Sequence, residues 1–162
     1  MAEAQIGTPP GAGNGAQELA LQNIYVKDAS FEAPSGPNLQ TTEWNPQFGL
    51  NMATAGTVLA PDAHEVVLTI TLEAKIGERV AYLVEVKQAG VFAIRGYNPE
   101  ELRRIVGAFC PGVLFPYARQ AVSDLILRGG FPPFLLPPVN FDALLNQSLA
   151  QAAANAPAPA VN

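Results

Sequence analysis

Few side chains in this sequence have the types and spacing that chemistry needs. The single histidine, His64, lies near Asp62 and Glu65. A neighbouring carboxylate would raise its pKa and suit it to act as a base. The plainer reading is a polar residue at a strand edge. The single cysteine, Cys110, precedes Pro111 in an apolar stretch and fits a small buried hydrophobe better than a nucleophile. One histidine cannot build a multi-histidine metal site, and one cysteine cannot form an internal disulfide. The sequence contains no G-x-S-x-G, P-loop or G-x-G-x-x-G, and no carboxylates cluster at metal spacing. The residues point away from an enzyme and call for no metal or cofactor.

Residues suited to recognition are more plentiful. Asp28 and Glu32 are separated by an even number of positions, so they share one face of a strand. Glu85 shares a strand face with Leu83. If both strands lie in one sheet with these faces outward, an acidic patch with an apolar centre results. Such a patch would dock a basic partner by charge complementarity. A second group is Trp44, Phe48, Leu50 and Met52, around an Asn45-Pro46 turn. Aromatic and Met side chains there suit either a core or the wall of an apolar groove. The residues alone leave both open. Leu144, Leu145 and Leu149 form a helical stripe that could supply an opposite wall.

The elements that position these residues follow from periodicity. Leu19 to Glu32 reads as a strand, and Phe48 to Met52 as a second. Val66, Leu68, Ile70, Leu72, Ala74 and Ile76 alternate strictly with Val67, Thr69, Thr71, Glu73 and Lys75, which predicts a half-buried antiparallel strand. Gly77-Glu78 reads as a type II′ hairpin turn into a strand over Arg79 to Gln88, ended by Gly90. Asn98-Pro99-Glu100-Glu101 is a helix start with a cap, Pro at the first position and Glu at the third. Pro111 is expected to interrupt that helix and Pro116 to restart it, until Gly129-Gly130. A Pro-rich connector leads to Asn140, which caps a last helix. Strands followed by helices predict an α+β fold, a four-stranded antiparallel sheet with helices packed on one side.

Composition bounds what remains. The chain has 162 residues, of which 49% are apolar and 14% charged. An average domain is about 25% charged. Too few charges to cover the surface suggest an oligomer interface or a greasy binding face. A net charge of −5 argues against nucleic acid and anionic membrane as partners. No apolar run approaches the ~20 residues of a membrane helix. The start carries no basic and apolar leader pattern, so the expectation is a cytoplasmic protein without membrane insertion. Residues 1–18 and 152–162, rich in Gly, Ala, Pro and Asn, are expected to be disordered, leaving a single folded unit over 19–151.

Four stretches carry a family resemblance: Ile24-Tyr25-Val26-Lys27-Asp28-Ala29-Ser30-Phe31-Glu32-Ala33-Pro34, Glu65-Val66-Val67-Leu68, Cys110-Pro111-Gly112-Val113-Leu114-Phe115-Pro116-Tyr117-Ala118-Arg119, and Pro138-Val139-Asn140-Phe141-Asp142-Ala143-Leu144. In this order, across roughly residues 19 to 150, the sequence resembles the bacterial SecB protein-export chaperones. The resemblance implies an ATP-independent holdase that binds unfolded preproteins and hands them to the motor SecA. It implies a homotetramer, a dimer of dimers, with the helix from Pro99 onward in the dimer-to-dimer interface. It assigns Asp28, Glu32, Leu83 and Glu85 to the zinc-containing C-terminal tail of SecA, the zinc being the partner's. It assigns Trp44, Phe48, Leu50, Met52, Leu145 and Leu149 to client grooves. Leu145 stands where the family has an aromatic, and the Gly/Pro-rich N-terminal arm is longer than the family's polar start. A related task, care of one antitoxin in a toxin–antitoxin pair, would not require the acidic docking set. Two further readings are a small enzyme or ligand-binding protein with Trp44 and His64 in one pocket, and a purely structural oligomer.

Overall fold

The computed structural model describes residues 16–36 and 43–155. Strands β1 (Glu18–Glu32), β2 (Gln47–Ala60), β3 (Ala63–Ile76) and β4 (Arg79–Arg95) form one antiparallel sheet in the order β1-β4-β3-β2. Helix α1 (Pro99–Arg104), a π-helical turn (Ile105–Phe109) and α2 (Cys110–Arg128) follow without a break, and α3 (Phe141–Ala154) comes after the connector. The α+β architecture is the one expected from the pattern.

The alternation in β3 has the predicted consequence. Val66, Leu68, Ile70, Leu72 and Ala74 are fully buried beneath the helices, with Tyr82, Val84 and Val86 beside them on β4. The intervening residues form the outer face. On α2, Cys110, Leu114, Ala118, Val122 and Ile126 recur at four-residue spacing, and all are fully buried against the sheet. The β3–β4 hairpin turns at Gly77, where φ is +59, while Glu78 stays out of the left-handed region, as a type II′ turn requires.

Three predicted boundaries are corrected. β2 runs to Ala60 instead of stopping at Met52. β4 continues through Gly90 to Arg95. A Cβ at Gly90 would lie 2.9 Å from both Leu114 Cδ2 and Phe92 Cε2, so this glycine admits the helix to the sheet and does not end the strand. Pro111 does not interrupt the helix. The helical run passes through a π turn, in which the Cys110 N–H donates to Ile105 O, and Pro111 follows it directly at the start of α2. Pro116 lies inside α2; the Gly112 carbonyl that loses its donor is at an exposed position.

The helix ends keep their predicted chemistry. Asn98 accepts from the N–H groups of Glu100 and Glu101, and the Glu101 carboxylate accepts from the Asn98 N–H. At the end of α2, Gly130 takes φ +80, its N–H donates to Leu127 O, and the Phe131 N–H donates to Ile126 O. This is a Schellman motif, and it turns Phe131 back over the sheet. β1 begins at Glu18, one residue before its predicted start, and α3 extends past residue 151 to Ala154. The remainder of the arm and tail, residues 1–15 and 156–162, lies outside the described residues.

Candidate functional sites

The outer face of the sheet is built by register. Glu32 pairs with Leu83, which pairs with Glu73; Ser30 pairs with Glu85, which pairs with Thr71; Asp28 pairs with Lys87, which pairs with Thr69. Directly paired residues project to the same side. Asp28, Glu32, Leu83 and Glu85 therefore share one face on adjacent strands. Glu73 belongs to the same patch, so half-buried Leu83 sits between two carboxylates. The alternation places Glu73 on the outward face of β3 and the Gly77-Glu78 hairpin sets β3 beside β4, but only the register shift between Ala74 and Lys75 brings Glu73 opposite Leu83. Two lysines temper the negative charge. Lys87 Nζ lies 3.6 Å from Glu85 and 3.9 Å from Asp28, and Lys75 Nζ is 2.8 Å from Glu73. Thr71 Oγ1 donates to Glu85 Oε2 at 3.1 Å.

A buried brace holds the edge strand that carries Asp28 and Glu32. Glu65 accepts from the Tyr25 hydroxyl and from Lys27 Nζ, the latter at 2.7 Å, so the contact spans from β1 to β3 across β4. The Lys27 and Tyr25 hydrogen bonds hold the Glu65 carboxyl below its ordinary pKa, and the same bonds raise Lys27 and Tyr25. The ladder of β1 shifts between Val26 and Asp28, with Lys27 as the extra residue. This bulge brings Tyr25 and Asp28 to one face although their numbers differ by an odd step.

The inner face opens into two apolar regions along β2. At one end, Trp44 stacks on Tyr82 (centroids 6.4 Å apart, planes at 20°) and tilts against Phe131 at 5.6 Å. Phe31 stacks on Tyr82 as well, at 5.8 Å. Phe48 meets Phe134 of the connector at 4.3 Å, and Ser123 Oγ donates to the Phe134 carbonyl, which ties the connector to α2. At the other end, a cleft of about 650 Å³ lies between β2, the π turn and α3. Met52, Val106, Gly107, Leu144 and Leu145 are among its lining residues, with Arg103 and Gln151 at its polar margin. Gly107 allows the close approach of α3: a Cβ there would sit 2.8 Å from Leu145 Cδ1.

The six residues assigned to client grooves are thus divided. Trp44 and Phe48 join the aromatic region, while Met52 and Leu145 join the cleft. Leu50 lies on the same strand face between them and is 41% exposed. Leu149 is exposed on α3 and is not among the lining residues of the cleft. Tyr82, Phe131, Phe134, Val106 and Gly107 were not singled out from sequence. Only the Gly-Gly helix end before Phe131 carried a readable signal.

The catalytic readings do not assemble. Trp44 packs on Tyr82 beside Ala74, whereas His64 pairs with Phe92 at the opposite end of β3, so about 33 Å of strand separates the two regions. The single-pocket reading is corrected accordingly. Burial pushes the Cys110 thiol up to about 12, so it stays protonated and packs as a hydrophobe. Among the described residues, no three His, Cys, Asp or Glu side chains are grouped to hold a metal ion, and no helix is long and apolar enough to cross a membrane.

Comparison with known proteins extends this picture. Residues 12–152 match the family model described as preprotein translocase subunit SecB. The chain is 50% identical over 136 residues to the protein-export protein SecB of Nitrosococcus oceani, covering 83% of each chain. It is 51% identical over 132 residues to that of Ectopseudomonas mendocina (82% of each), and 50% identical over 145 residues to that of Stutzerimonas stutzeri (88% of each). Among solved structures, a Mycobacterium tuberculosis SecB-like chaperone, in complex with a peptide from an antitoxin, superposes with a TM-score of 0.63. It is 18% identical, and the match covers 75% of this chain and 90% of that one.

Proposed function

This chain belongs to the SecB protein-export family, and from that premise we propose that it is an ATP-independent holdase that binds unfolded preproteins and delivers them to SecA. The observation that carries the proposal is the preformed apolar track along β2, from the Trp44–Phe48 aromatics to the cleft against α3. An unfolded chain can lay exposed apolar segments along such a track, each buried side chain contributing about 1.5–3 kcal/mol before entropy costs. A folded protein hides those segments and is passed over.

A homotetramer would join several tracks, and avidity would then exceed the affinity of each by about 10²–10⁴-fold. The outward side of the helical run supports such assembly. Phe109, Tyr117 and Leu127 are each about half exposed there. The outer face, with Leu83 between Glu32 and Glu73 and with Asp28 and Glu85 beside it, suits a basic partner, and we assign it to the zinc-containing C-terminal tail of SecA. No cofactor is needed, and the working compartment is the cytoplasm. Relatives near 50% identity are protein-export proteins, so export is favoured over service to a single antitoxin. The test is light scattering of a denatured, reduced secretory precursor diluted without nucleotide. The proposal expects aggregation to be suppressed at about one tetramer per client. Unsuppressed aggregation with an intact oligomer would overturn it.

A further inference from the structure

Tyr82 is fully buried, and its hydroxyl has no hydrogen-bond partner among the described residues. It is the one buried side-chain polar atom there in that position. Leaving such a group unpaired is unfavourable, and a phenylalanine would fill the same space without the penalty. Its surroundings are aromatic: Phe31 and Trp44 stack on the ring, and Phe131 meets it edge-on at 5.0 Å. Phe131 is fixed by the Schellman turn, and Phe31 lies within β1. Trp44 differs. It lies on coil residues 43–46, before the ladder of β2 begins, so its indole can leave the Tyr82 ring without breaking a strand.

We propose that the Tyr82 hydroxyl is a polar subsite of the client track, donating a hydrogen bond to a backbone carbonyl of an extended apolar segment. The segment's aromatic or large aliphatic side chain takes the place of the Trp44 indole on the Tyr82 ring. An apolar surface alone does not fix the depth or register of a bound chain; one donor on its floor does. The backbone carbonyl is the acceptor that every polypeptide carries, so the contact adds affinity without demanding a sequence. Burial raises the Tyr82 pKa to about 12, which keeps the hydroxyl protonated as a donor.

This inference deepens the client-binding reading, and a single conservative variant separates the two. The probe is a fluorescent, unstructured peptide of alternating Phe and Ser, titrated into wild type and Tyr82→Phe. The variant should melt higher by about 3 °C, having lost an unpaired buried hydroxyl. It should bind the peptide about fivefold more weakly, the loss of one neutral hydrogen bond. The single tryptophan reports the exchange directly: in both proteins, peptide binding should shift Trp44 emission to the red. Equal or tighter binding by Tyr82→Phe would overturn the inference while leaving client binding standing. A lower melting temperature would also overturn it, by revealing an internal partner for the hydroxyl. A wild-type protein that does not bind the peptide overturns both readings.

Discussion

Replacing Glu65 with glutamine removes the charge from the brace that ties β1 to β3, and its cost can be worked from the geometry. The carboxylate side chain is 11% exposed and accepts from Lys27 Nζ at 2.7 Å and from the Tyr25 hydroxyl. A glutamine keeps one acceptor oxygen but loses the charge-assisted bond. Lys27 is itself 47% exposed, so solvent already screens the pair. The net loss at the carboxylate is about 1–2 kcal/mol, a fall in Tm of about 3–6 °C. The pH dependence identifies the cause. The Glu65 carboxyl is held below its ordinary value of 4.5, so its contribution is complete above that value and disappears as pH falls through the folded-state pKa. Urea unfolding of wild type and Glu65→Gln at fixed protein concentration should show a constant gap between about pH 6 and 8, closing below about pH 4.5. A gap that persists unchanged into the acid range, or no gap at neutral pH, would mean that the carboxylate is not what holds the edge strand.

Other consequences are as direct. Gly90→Val should destabilise by about 1–3 kcal/mol in urea titration, because the new side chain meets Leu114 and Phe92. Cys110, buried and protonated, should react with a thiol reagent only at the rate of global unfolding. A basic peptide should bind Glu73→Lys several-fold more weakly than wild type by calorimetry, because a cation then stands beside Leu83 in place of a carboxylate. Lys87→Gln, which frees Asp28 and Glu85, should bind that peptide more tightly.

The inner strands were readable because their burial is one-sided. Each second residue of β3 meets the helices, and that alternation is written in Val66 through Ala74. Helix starts were readable because Asn98 and Asn140 satisfy orphan N–H groups locally. Features that depend on a distant neighbour were not. The half of β2 beyond Met52 is mostly small residues from Ala53 to Thr57, exposed at the sheet edge, so no hydrophobic pattern marks it. Gly90 looked like a stop because Leu114, which requires it, lies 24 positions away. Pro111 looked like a break because a π turn leaves no local signature. In the acidic face, the even spacing of Asp28 and Glu32 was local, but the pairing of Glu73 with Leu83 depends on a register shift between Ala74 and Lys75 that no local pattern marks. The groups around Tyr82 come from three separate segments, and only their meeting makes a site.

If the apolar track along β2 holds unfolded polypeptide, charges placed on it should weaken client binding. Leu50 is 41% exposed on the track and Leu144, beside the cleft, is 40% exposed, so Leu50→Asp with Leu144→Asp alters the track without emptying the core. The direct measurement is the affinity of this double variant for an unfolded, reduced secretory precursor, with its mass and circular dichroism matched to wild type. Binding should weaken by about 30-fold or more, from two apolar contacts replaced by charges that resist desolvation. Undiminished binding by a variant that keeps its fold and its assembly would contradict that role for the track.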